Sequence, residues 1–149
     1  MRKINKIILH CTATKEGQDF TVDDVRRWHI GRGFADIGYH YLIYLDGSVH
    51  KGRPIVRIGA HCSGQNKDSI GICYVGGLDS NNKPKDTRTD EQKAALVKLV
   101  KEEPELTEAA IQNAKTMAIF GLIFLTWMLL LGMVLIYLQD KAVFLRNGG

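Results

Sequence analysis

Apolar positions follow three rhythms along the chain, and each predicts a different kind of element. Short runs of β-formers at residues 6–10 (KIILH), 39–45 (YHYLIYL), 48–51 and 69–75 (SIGICYV) predict strands. The second and third flank Asp46-Gly47, a dipeptide that readily takes the left-handed backbone of a tight turn, so they predict a hairpin. Gly76-Gly77 closes the last run. Helical spacing occurs twice. Thr21 and Asp24 form a capping box, Val25, Trp28 and His29 share one face, and Gly31 and Gly33 supply the stop, which predicts a helix over 22–32. After a polar loop over 78–88, Thr89 with Gln92 caps a second helix reaching about residue 100. Strands interspersed with two helices predict an α/β layered domain.

The third rhythm is unbroken. Residues 117–138 (MAIFGLIFLTWMLLLGMVLIYL) carry no charge on any face. As a helix rising 1.5 Å per residue they would cover about 33 Å, enough to cross a bilayer. Tyr137 suits the headgroup boundary, and Lys115, Asp140 and Lys141 bracket the ends. Trp127 falls near the middle, where packing against another membrane protein would accommodate it. Pro104 breaks the second helix and Thr107 can cap the next. The expected organisation is a soluble domain at 1–101, an acidic join and helix start at 102–116, a single transmembrane helix at 117–138 and a short tail at 139–149. Membrane lipid is then a partner and a single-pass membrane location follows. The flanking charges lean slightly towards an outward front domain, and the lack of a visible export signal leans the other way.

Charge divides at the same place. Residues 1–101 hold 17 Lys and Arg against 11 Asp and Glu, net +6, whereas 102–149 hold 3 against 5, net −2. The front domain therefore favours anionic partners, but no Lys/Arg run is dense enough to indicate nucleic acid. Cys11, Cys62 and Cys73 are odd in number and scattered, which argues for reduced thiols over a disulfide framework or a CxxC metal knuckle.

Histidine is the most informative residue type. His10 ends a strand, His40 begins one, and His61 follows Ile58-Gly59-Ala60; strand ends are where α/β sheets build their sites. No HxxxH, HExxH or CxxC spacing joins them. Three segments, IILHCTAT at 7–14, DIGYHYLIYLDGSV at 36–49 and GAHCSGQNKDSIGICYVGG at 59–77, closely resemble type-2 N-acetylmuramoyl-L-alanine amidases and the related peptidoglycan-recognition proteins. The resemblance covers residues 6–101 in the right order. It implies a central mixed sheet flanked by helices, peptidoglycan as partner, and zinc-dependent hydrolysis of the amide between N-acetylmuramic acid and the stem L-alanine. By the same resemblance His10 corresponds to the first zinc ligand, Tyr39 to the catalytic tyrosine beside the metal and His61 to the wall of the substrate groove; His40, next to Tyr39, is a further candidate for binding substrate in that groove.

One departure bears on the chemistry. The family takes a second histidine ligand and a cysteine ligand from beyond its last helix, whereas here no histidine follows His61 and no cysteine follows Cys73. A catalytic zinc needs three protein ligands, so the expected metal site is incomplete. Three readings follow: a membrane-tethered amidase, a peptidoglycan-binding module without turnover, and a single-span subunit of a membrane complex joined to an amidase fragment.

Overall fold

The computed structural model describes residues 2–104 and, beyond them, positions 106, 108, 111, 112, 115, 118 and 119. Its elements are β1 (Lys6–Cys11), β2 (Thr14–Lys15), α1 (Val22–Gly31), β3 (Tyr41–Ile43), β4 (Val49–Lys51), β5 (Ser69–Tyr74), β6 (Gly77–Leu78) and α2 (Asp90–Glu102). The main sheet has the order β1-β5-β3-β4. Strands β1, β5 and β3 run parallel, and β4 returns antiparallel to β3. The sheet is therefore mixed, with β5 at its centre.

Alternation along β5 explains why it is buried from Ser69 to Cys73. Ile70 and Ile72 point to one face, where they pack with Tyr41, Ile43, Leu99 and Leu106. Cys73 points to the other and joins Leu42, Val25, Ile37 and Val75. Helix α2 covers the first face and α1 the second, so a central parallel strand has apolar cover on both sides. Each fully buried aliphatic side chain contributes about 1.5–3 kcal/mol relative to exposure. Leu106 is itself fully buried, so the hydrophobic packing of the front domain continues past residue 101, where the sequence places its boundary.

Both capping boxes form as the sequence predicts, Thr21 with Asp24 and Thr89 with Gln92. Gln92 does more than cap. Its Nε2 donates to the carbonyls of Ile43 and Val75, tying the start of α2 to the ends of two strands. The hairpin departs from a two-residue turn: Gly47 N–H donates to Tyr44 O and Tyr44 N–H to Ser48 O, so Tyr44 and Ser48 close a loop of residues 45–47. Gly47 takes the left-handed conformation, φ 81°, at its end, which is the three-residue hairpin loop with a glycine bulge. A second, two-stranded parallel sheet joins β2 and β6 and was not legible in the hydrophobic pattern. Gly77 opens it at φ 109° and lies so close to Cys11 Sγ that a Cβ there would collide with the thiol.

By its internal contacts the chain forms two units, Met1–Asn113 and Ala114–Gly149. Among the described residues no helix is long and apolar enough to cross a membrane. The transmembrane helix expected over 117–138 lies outside the described residues, apart from the helical positions 118 and 119.

Candidate functional site

The α1 face of the sheet carries an opening made by small residues. In register, Ile8 pairs with Gly71 and His10 with Cys73, so His10 projects from an edge strand beside a position with no side chain. His61 fills that gap. A Cβ on Gly71 would stand 2.5 Å from its Cδ2 and Cγ, and one on Gly59 would stand 2.5 Å from its Cδ2. The loop is fixed from behind by Asn66, whose Oδ1 accepts from the backbone N–H groups of His61 at 3.0 Å and Cys62 at 2.9 Å. His61 Nδ1 is thereby brought within 3.0 Å of His10 Nε2. The two rings meet edge to face at 5.1 Å.

Tyr39 completes the cluster, its ring 5.2 Å from His10 on one side and 5.2 Å from His29 on the other. His29 is buried on α1, and its Nδ1 accepts from the Gly38 N–H at 2.8 Å, which fixes the backbone beside Tyr39. Burial, with smaller contributions from Cys73, holds the Tyr39 phenol protonated well above its ordinary range. Burial likewise pushes the Cys73 thiol up, and its Sγ lies 3.7 Å from the Tyr74 carbonyl. The phenol is thus a standing hydrogen-bond donor.

Both exposed-side histidines are neutral at pH 7. Burial lowers His10, and burial together with the nearby charges of His10, His40, Arg2 and Arg53 pushes His61 down to about 4. Two neutral imidazoles 3.0 Å apart satisfy each other by one donating and one accepting.

The structure brings three of the four sequence-predicted residues, His10, Tyr39 and His61, into one cluster. His40 lies behind them, 1% exposed. Its Nδ1 accepts from the Gly71 N–H and its Nε2 lies 3.1 Å from the Arg57 carbonyl and 3.0 Å from Arg2 Nη2. With both nitrogens engaged inside the protein, His40 supports the site from beneath. Sequence reasoning missed His29, Cys73 and the glycine gap at Gly71. The period-two alternation of SIGICYV, which puts Gly71 and Cys73 on one face, was the available signal for two of them.

Among the described residues no three His, Cys, Asp or Glu side chains group so as to hold a metal ion. His10 and His61 each spend a ring nitrogen on the other. This donor set does not fit a catalytic zinc, which takes three protein ligands. A cavity of about 360 Å³, bounded by His40, Tyr41, Lys51, Arg53, Ile55 and Glu103, lies along β4; of the four sequence-predicted site residues His40 is on its wall and His10, Tyr39 and His61 are not.

A family model described as N-acetylmuramoyl-L-alanine amidase matches residues 1–118. The endolysin of Enterobacteria phage K11 is 39% identical over 95 residues, covering 64% of this chain and 63% of the endolysin, so the chain spans somewhat under two thirds of that relative. Among solved structures, the N-acetylmuramoyl-L-alanine amidase LysC from Clostridium intestinale URNW superposes with TM-score 0.57 at 30% identity, over 67% of this chain and 62% of LysC. The ectodomain complex of peptidoglycan recognition proteins LCa and LCx, solved with tracheal cytotoxin bound, gives TM-score 0.57 at 30% identity over 72% of this chain and 65% of that one.

Proposed function

Because the chain belongs to the N-acetylmuramoyl-L-alanine amidase family, we propose that its front domain is a peptidoglycan-binding module that engages the muramoyl-peptide junction at His10, Tyr39 and His61 without hydrolysing it. The observation that carries this reading is the His10–His61 hydrogen bond at 3.0 Å, which satisfies the two imidazoles with each other in a site that offers no third metal donor among the described residues. Zinc, where three ligands hold it, supplies the activated water and the carbonyl polarisation of this reaction class. Tyr39 keeps a part that needs no metal: its protonated phenol donates to a carbonyl oxygen of the bound ligand. The solved complex with tracheal cytotoxin supports binding as a role of this fold, since that ligand sits on a relative.

The uncharged segment at 117–138 supports a second element of the reading, a single membrane helix that keeps the module close to a bilayer. Trp127 is the position where another membrane protein would pack. Two assays on the full chain test the proposal. Titration with soluble muropeptide should give saturable binding that a chelator leaves unchanged, and incubation with purified wall should release no stem peptide. Flat titration of folded protein, or release of stem peptide, would overturn it.

A further inference from the structure

The hydrogen bonds behind His61 have a direction. Ser69 is fully buried at the start of β5, and its Oγ lies 2.6 Å from the carbonyl of Gln65. A carbonyl only accepts, so the single hydroxyl proton of Ser69 is committed to Gln65. The Ser69 oxygen is left with lone pairs, and His61 Nε2 lies 3.4 Å from it. The proton of His61 therefore belongs on Nε2, directed at Ser69. A neutral imidazole has one N–H, so His61 Nδ1 accepts, and the nitrogen facing it at 3.0 Å, His10 Nε2, must donate. The chain of donors runs His10, His61, Ser69, Gln65. It ends in a main-chain carbonyl that cannot reverse it.

We infer that Ser69 is a positioning residue of the site: acting through His61, it holds His10 with its proton on Nε2 and leaves Nδ1 as an open acceptor for an amide N–H of the ligand. Among the described residues, no side chain hydrogen-bonds His10 Nδ1. The other ring nitrogens near it are committed, since His29 Nδ1 receives Gly38 N–H and His40 Nδ1 receives Gly71 N–H. The rigid hold on the loop favours one fixed network, because Asn66 anchors both His61 and Cys62 and the Arg2 guanidinium donates to the carbonyls of Ile55 and Ser69. A peptide stem offers one amide N–H per residue, and an unprotonated imidazole nitrogen is the complementary partner. The assignment of the ligand rests on the peptidoglycan-binding reading; the assignment of the tautomer does not.

The experiment is nitrogen NMR on the full chain with ¹⁵N-labelled histidine, which distinguishes protonated from unprotonated ring nitrogens directly. The native chain should show His10 protonated at Nε2 alone. Ser69→Ala removes the acceptor and should give His10 as a mixture of tautomers with the backbone spectrum otherwise preserved, and Ser69→Thr, which keeps the hydroxyl, should restore the single form. Soluble muropeptide added to the native chain should shift Nδ1 of His10 more than Nε2. His10 protonated at Nδ1 in the native chain, or an unchanged single tautomer in Ser69→Ala, would overturn the inference. Should Ser69→Ala fail to fold, the native tautomer alone decides. A correct tautomer with no muropeptide shift would count against ligand binding and leave the role of Ser69 intact.

Discussion

His61 occupies the space that a side chain at Gly71 would need: a Cβ on Gly71 would lie 2.5 Å from the His61 ring. The imidazole reaches His10 only because the central strand carries no side chain at that point. Gly71→Ala should therefore displace His61, cost about 1–3 kcal/mol of stability through overpacking, and remove muropeptide binding. Gly31→Ala is the matched control. A Cβ there meets nothing within 4 Å, so urea denaturation should find it unchanged or stabilised by up to about 1 kcal/mol.

Acid should destabilise the domain through the same pair. His61 is held near 4 in the folded chain against 6.5 for the free side chain, and His10 is also lowered. The unfolded state then binds more protons between those values, so the stabilisation is complete above about pH 6.5 and is lost as pH falls from there towards 4. Because His61 is only half-buried, solvent screening reduces the effect to about 1–2 kcal/mol. Urea midpoints measured from pH 7.5 down to 4.5 should fall over that window in the native chain and fall less in His61→Gln. A flat profile in the native chain would contradict the burial argument.

Tyr39→Phe separates the hydroxyl from the ring. The ring contacts with His10 and His29 at 5.2 Å survive, so the fold should hold within about 1 kcal/mol. Losing one donated hydrogen bond to the ligand should weaken muropeptide affinity by roughly tenfold, equivalent to about 1.4 kcal/mol. Calorimetric titration of the two proteins checks it, and equal affinities would remove Tyr39 from the binding surface.

Gln92→Leu probes the join between helix and sheet. The substitution fits by size but leaves the Val75 carbonyl without its side-chain donor, strips the Ile43 carbonyl of one donor while the Val75 N–H remains, and takes away the acceptor of the Thr89 N–H. Burying unsatisfied polar groups of this kind should cost about 2–4 kcal/mol, read as a lower urea midpoint at pH 7 with no change in muropeptide affinity once folded.

Much of this was legible from residue order because the signals were local. The two capping boxes sit within four residues each, and strand β5 announces itself by a β-rich run. The hairpin is legible too, although the β-rich run over 39–45 includes Leu45, which belongs to the turn, since the Asp-Gly signal does not say whether the glycine sits inside the turn or just after it. Strand β2 escaped because two residues have no period to detect; its pairing with β6 depends on backbone contact between segments over sixty positions apart. At the site, His10, Tyr39 and His61 came from motif resemblance. The parts of His40, His29 and Ser69 did not, because burial and hydrogen-bond direction are set by packing between distant segments that no single stretch encodes.

On the proposed reading, His10 and His61 of this amidase-family domain satisfy each other across 3.0 Å and hold no metal. Metal stoichiometry of the purified full chain, after exposure to zinc and removal of loosely bound ions, tests it most directly. The account predicts far less than one zinc per chain with the fold intact. One tightly held zinc per chain, lost together with the fold or with muropeptide binding in His10→Ala, would contradict it.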